Sequence, residues 1–283
     1  MKFTPKSLLS PLARSLLPPA TPLTATGQCL VHFHIQKTGG TSVNHAFYSL
    51  AFSNRLVHVA RVLRIEERFG SLSTMDRGRL CHIVSNRTTG FVRSKTGGYC
   101  ITRDPRLIAH NKASYLHSHS LPTSLLGNRG VFSFAILRDP VDRLLSRYRM
   151  DLALWREDGL KHYGKDFSQD EMMSPLAYFR ALQMRLPHEF FGILSTFSPR
   201  LNLNEGLANL ERVNFVMRQA CLQEDYRTLL TSTGAPLELL PESLGHAKSR
   251  HSAQFDPAQL GENVIDYLRE ALQMEYSLVR DYL

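Results

Sequence analysis

Cys29-Leu-Val-His-Phe-His-Ile-Gln-Lys-Thr-Gly-Gly-Thr-Ser42 is the stretch from which the fold is read. Its first seven residues, Cys29 to Ile35, form an apolar-rich run of the length and composition of a buried strand. Gln36 to Ser42 hold two adjacent glycines, and Val43 to Phe52 has the composition of a helix. A strand, a glycine loop and a helix in that order are how α/β proteins hold phosphate, because backbone N–H groups and the positive end of the helix converge on one anion. The expected fold class is therefore α/β, with a P-loop-like central parallel sheet flanked by helices.

In Lys37-Thr-Gly-Gly-Thr-Ser42 the glycines permit a tight turn, and Thr41 and Ser42 bring hydroxyl donors. Lys37 precedes the glycines, whereas the lysine of a Walker A loop follows them, so the order argues against a nucleoside triphosphatase or kinase. A second strand, Val131-Phe-Ser-Phe-Ala-Ile-Leu137, ends at Arg138-Asp139-Pro140. Asp139 suits a helix cap and Pro140 a first helical turn, which predicts a helix over Val141 to Asp151. Arg138 at the strand end and Ser146 two turns into the helix suit a phosphate. By itself this segment also fits an amphipathic helix with Leu144, Leu145 and Tyr148 packed inward and Arg143, Arg147 and Arg149 solvated.

Taken together, the two motifs resemble the paired signatures of sulfotransferases that use 3′-phosphoadenosine 5′-phosphosulfate (PAPS). His34-Ile-Gln-Lys-Thr-Gly-Gly-Thr41 is similar to the 5′-phosphosulfate loop of the heparan sulfate 6-O-sulfotransferases. Leu137-Arg-Asp-Pro-Val-Asp-Arg-Leu-Leu-Ser-Arg-Tyr148 is similar to the 3′-phosphate motif shared with the 2-O-sulfotransferases. Asn214-Phe-Val-Met217 and the closing residues from Glu275 to Tyr282 carry a looser likeness. The resemblance implies that Thr38, Gly39, Gly40, Thr41 and Ser42 hold the 5′-phosphosulfate. It further implies that Lys37 stabilises charge on the leaving oxygen and that Arg138 and Ser146 bind the 3′-phosphate. Transfer is in line, onto the hydroxyl of an acceptor expected to be an anionic glycan, and the scheme requires no metal.

A base must take the hydroxyl proton, and a neutral histidine can do so near pH 7. His110, His117 and His119 are all competent. His110 is the expectation, because Leu107–Ala109 has the look of a short strand and the segment resembles the strand-end histidine of the 2-O-sulfotransferases; His117 and His119 are expected in the loop that follows.

The chain of 283 residues carries 34 Lys and Arg against 25 Asp and Glu, a net charge of +9, which favours anionic partners or simply keeps a basic surface soluble. No nucleic-acid-binding signature occurs, and the aromatics are not interleaved with the basic runs, which argues against a nucleic-acid partner. A non-catalytic glycan- or nucleotide-binding protein would have no need of two anion motifs at two strand ends. No run approaches the length of a membrane span. Peripheral membrane contact, oligomeric state and compartment stay open. Residues 1–26, broken by Pro11, Pro18, Pro19 and Pro22, are expected to be a flexible tail, and 27–283 one domain.

Further expectations are a helix near Ala60–Phe69 that spaces Arg61, Arg64 and Arg68 along one face, and short strands at Leu80–Val84 and Arg212–Val216. A helix over Glu224–Leu230, a long C-terminal helix over Asn263–Tyr282 and a basic loop around Lys248-Ser-Arg250 complete the outline. Of the four cysteines, Cys29 and Cys221 read as buried thiols and Cys81 and Cys100 as a pair that can bridge in an oxidising compartment.

Overall fold

The computed structural model describes residues 18–50, 74–87, 91–94, 98–158, 167–244, 260 and 262–283. The expected helix at 60–69 and the basic loop at 248–250 lie outside them. Six strands form one sheet: β1 (Cys29–Phe33), β2 (Phe91–Arg93), β3 (Cys100–Thr102), β4 (Tyr115–Ser118), β5 (Val131–Leu137) and β6 (Phe215–Arg218). Their order is β2-β3-β4-β1-β5-β6, and every pairing is parallel except the antiparallel edge pair β2–β3. The expected α/β class and central parallel sheet are what the chain forms.

Alternation along the central strands divides the interior in two. Val31, Phe33, Leu116, Ala135 and Leu137 face one core, covered by α3 (Pro140–Asp158), α5 (Pro175–Arg185) and the C-terminal helices α10 (Glu262–Ala271) and α11 (Gln273–Val279). Leu30, Tyr115, Phe134 and Ile136 face the other, covered by α1 (Gly40–Tyr48), α2 (Thr74–Arg87) and α9 (Leu222–Thr233). Between α3 and β6 lie α4 (Gln169–Met173), α5, α6 (Pro187–Phe190), α7 (Gly192–Phe197) and α8 (Leu203–Leu210).

Several expectations shift. Leu80–Val84 lies within α2, since a short apolar run serves a buried helix turn as readily as a strand. A Cβ at Gly78 would lie 1.7 Å from the His45 carbonyl oxygen, so glycine is what lets α2 cross α1 closely. Leu107–Ala109 belongs to a 3₁₀ turn, Pro105–His110, started by Asp104, whose carboxylate accepts from the Arg106 N–H. The expected strand at Arg212–Val216 moves to Phe215–Arg218, because Asn214 turns its side chain onto the Ser133 N–H of β5. The long C-terminal helix is two, broken at Leu272.

The expected tail is packed over its last residues. Leu23 and Thr24 are buried, Ser114 Oγ donates to the Thr21 carbonyl, and the Ala25 N–H donates to the Thr233 carbonyl. All four cysteines are free thiols; Cys29, Cys81 and Cys100 are buried and Cys221 is partly exposed.

Candidate active site

Parallel pairing places Phe33 beside Ala135, so the chain leaves β1 and β5 side by side at the same edge of the sheet. The glycine loop and the Arg138-Asp-Pro turn are thereby brought together, and Arg138 Nη1 donates to the Lys37 carbonyl at 3.2 Å. Two residues of the loop take left-handed backbone: Gly39 at φ 93°, where a side chain is strained, and Lys37 at φ 68°, uncommon for a residue with a Cβ. At Gly40 the constraint is space, since a Cβ would lie 2.4 Å from His34 Cδ2 and 2.6 Å from His32 Cε1. Thr38 is buried with its hydroxyl on the Ile35 carbonyl, which pins the loop's inner side, while Thr41 is exposed and Ser42 half-buried.

Among the described residues neither Lys37 nor Arg138 forms an ion pair. Within that set Lys37 Nζ has the Met150 thioether as its one hydrogen-bond partner, at 3.6 Å, and burial pushes its pKa down despite the attraction of Asp151. Arg138 Nε is buried with no hydrogen bond among the described residues. No N–H from Lys37 to Thr41 is used by a backbone carbonyl among the described residues. Met150 and Ser146 are one turn apart on α3, so the helix face that meets Lys37 also carries Ser146. The arrangement is a concave set of donors and positive charge in which neither Lys37 nor Arg138 forms an ion pair among the described residues, suited to a polyanion.

Arg143 and Arg147 are not solvated. Arg143 is buried, donating to the Glu189 and Phe190 carbonyls and paired at 3.5 Å with the buried Glu275. Arg147 donates to Asp151 at 2.7 Å, to Gln36 Oε1 at 2.7 Å and to Glu189. It thus ties the start of the loop to α3 and α6. Asp139 caps α3 through the Asp142 N–H and accepts from Tyr276 Oη at 2.9 Å.

A cleft of about 460 Å³ opens beside the loop between the sheet edge and α6–α7, lined among others by His34, Gln36, His119, Arg143 and Glu189. A second of about 270 Å³ adjoins the loop's other side, where Gly39 and Ser42 meet Gln219 and Leu222. The histidines are distributed differently from the sequence expectation. The backbone of His110 ends the crossover that returns to the amino-terminal end of β4, next to Asn111, whose carbonyl accepts from the Ala20 N–H. In register with Tyr115↔Leu30, that end of the sheet is opposite the loop. The His110 side chain lies outside the described set. His117 is in β4 rather than a loop; it is fully buried against Tyr48 Oη at 3.1 Å.

His119 reaches the cleft. Its Nδ1 lies 2.6 Å from the His34 carbonyl oxygen, which can only accept, so Nδ1 carries the proton and Nε2 keeps its lone pair. Burial, Arg103 and Arg147 hold its pKa below the usual value. Of His34 and His119, which both line the cleft, His34 is the one that the sequence reading passed over, whereas His119 is one of the three candidate bases it named. Their signal was the alternation His32-x-His34 and His117-x-His119, which puts all four rings on one face of adjacent strands. Among the described residues, no three His, Cys, Asp or Glu side chains are set to hold a metal ion.

With this geometry in place, comparison with known families gives one match: the model of the sulfotransferase family covers residues 23–278. The chain belongs to the sulfotransferase family. Neither curated proteins nor solved structures yield a match. As a sulfotransferase it carries sulfuryl transfer to a hydroxyl acceptor as its general chemistry, and the matched span takes in the glycine loop, the Arg138 turn and the packed residues from Leu23 onward.

Proposed function

We propose that the protein transfers a sulfuryl group from PAPS to a hydroxyl of an anionic carbohydrate, with His119 as general base. The observation that carries the reading is the pair Lys37 and Arg138, two half-buried cations joined through the Lys37 carbonyl and in no ion pair among the described residues, at the mouth of a loop whose N–H groups no described backbone carbonyl uses. The fit to the donor rests on the same features: the backbone from Thr38 to Ser42, with the Thr41 and Ser42 hydroxyls, would hold the 5′-phosphosulfate. Arg138 and Ser146 would hold the 3′-phosphate.

When bound, the donor supplies an activated sulfuryl group whose sulfur–oxygen bond to phosphate breaks as the acceptor oxygen bonds to sulfur. The chain's own contribution is charge and position. Lys37 lies where charge on a departing oxygen is stabilised, in a site where burial strengthens that effect. His119 Nε2 takes the acceptor proton, and its lowered pKa keeps it able to accept at neutral pH. The cleft, with Arg143, His188 and His119 in its lining beside Glu189, together with the net charge of +9, supports an anionic acceptor.

The test is calorimetric titration with 3′,5′-adenosine bisphosphate, beside AMP, ADP and ATP with magnesium. Selective binding of the bisphosphate, weakened at least tenfold in Arg138→Ala, as expected for loss of a charge-assisted contact, supports the reading. Preference for ATP with magnesium, or equal bisphosphate affinity in the variant, overturns it.

A further inference from the structure

The rings of His34 and His119 lie against each other at the loop mouth, tilted by 30° with centroids 4.2 Å apart. The hydrogen bond to the His34 carbonyl makes His119 the Nδ1–H tautomer. His34 is held in the opposite one. Asn44, in α1, accepts at Oδ1 from Tyr115 Oη at 2.6 Å and from His32 Nδ1 at 2.8 Å; the reverse amide would put the His32 proton on Nε2, which is buried with no partner among the described residues, so this orientation is the one that strands no donor. Its Nδ2 therefore donates to His34 Nδ1 at 3.2 Å. An Nδ1 that accepts leaves the proton of the neutral ring on Nε2.

That Nε2–H is turned toward the loop. A Cβ at Gly40 would lie 2.7 Å from it, His34 lines the cleft, and no hydrogen bond among the described residues uses it, although the residue is only 6% exposed. A donor on a residue this buried, opening on the cleft and unused by the described residues, is available to a ligand oxygen. We infer that His34 is a fixed neutral N–H donor to an oxygen of the anion held in the glycine loop, and that Asn44 is the positioning residue that sets its tautomer. The loop thus gains a directed donor from the strand beneath it, lying against a neighbour that offers a lone pair. Burial and the surrounding His32, His117, His119 and Arg103 all disfavour a charged His34, which keeps the tautomer argument applicable.

The inference deepens the proposed reaction and rests on that reading for the identity of the anion, but not for the state of the ring. Nitrogen-15 NMR of the histidine rings in the full chain, free and with inorganic phosphate, reads the donor without any nucleotide. The expected result is a His34 proton on Nε2 whose resonance moves on adding phosphate, and a shift of the proton to Nδ1 in Asn44→Asp. Bisphosphate affinity is expected to fall about ten- to hundredfold in His34→Met, the range for a hydrogen bond to a charged group, and to recover in His34→Gln, which can present an amide N–H. A proton on Nδ1 in the unaltered protein, or no response to saturating phosphate, overturns the inference. Wild-type protein that binds phosphate through His34 yet ignores the bisphosphate would sink the donor assignment alone and leave His34 as an anion ligand.

Discussion

Gly40 shows how little slack the anion loop has. The two rings that its missing Cβ would strike, His34 and His32, are both buried and both tied to Asn44, so neither can swing away without breaking a hydrogen bond. Gly40→Ala is expected to cost about 1–3 kcal/mol, the usual range for overpacking, read as a lower midpoint in chemical denaturation. An unchanged midpoint would mean that the rings yield freely and that the glycine serves only the loop's path. Lys37 makes the complementary point: a lysine at φ 68° with a thioether as its recorded partner is a poor solution for folding alone.

At the scale of elements, the site depends on the last helix of the chain. Glu275, in α11, accepts from the Ile193 and Leu194 N–H groups at 2.6 and 2.9 Å and pairs with Arg143, while its neighbour Tyr276 holds Asp139. Glu275→Leu strands a buried guanidinium and two amides at the start of α7, and is expected to lower unfolding free energy by about 3–5 kcal/mol. Equal stability in urea would show that the pair is dispensable. The elements legible in the sequence were those with a long apolar run and a capped helix after it, Cys29–Phe33 with its loop and Val131–Leu137 with Asp139 and Pro140. Strands β2, β3 and β4, of three or four residues, carry too little periodicity to stand out, and β4 is half aromatic and histidine. The motif residues Lys37 and Arg138 were readable because backbone geometry places them. Which histidine reaches the cleft was not, since that depends on the register of β4 against β1. Arg143 and Arg147 were misplaced at the surface because their acceptors come from α6 and α11, remote in sequence.

For the whole molecule, the buried histidines set a limit in acid. Burial pushes His32 and His82 down to about 3 and His45 to about 4, and His34 and His117 well below the usual value. The unfolded chain takes up these protons near pH 6.5 and the folded one does not, so stability is intact above that pH and falls as pH drops from 6.5 toward 4. Each histidine contributes a slope of about 1.4 kcal/mol per pH unit across its window. The urea midpoint should therefore decline steeply between pH 7 and 5; a flat profile there would mean that the rings are protonated in place. The strand order has a consequence for synthesis. β1 lies at the centre of the sheet, but its neighbours are made much later, Leu30 meeting Tyr115 and Cys29 meeting Val131. A chain emerging from the ribosome carries its glycine loop on an unpaired apolar strand until Ser118 exists and on a strand open along one side until Leu137 does, and Glu275 arrives later still. The surroundings of the glycine loop are begun early in the chain and completed last.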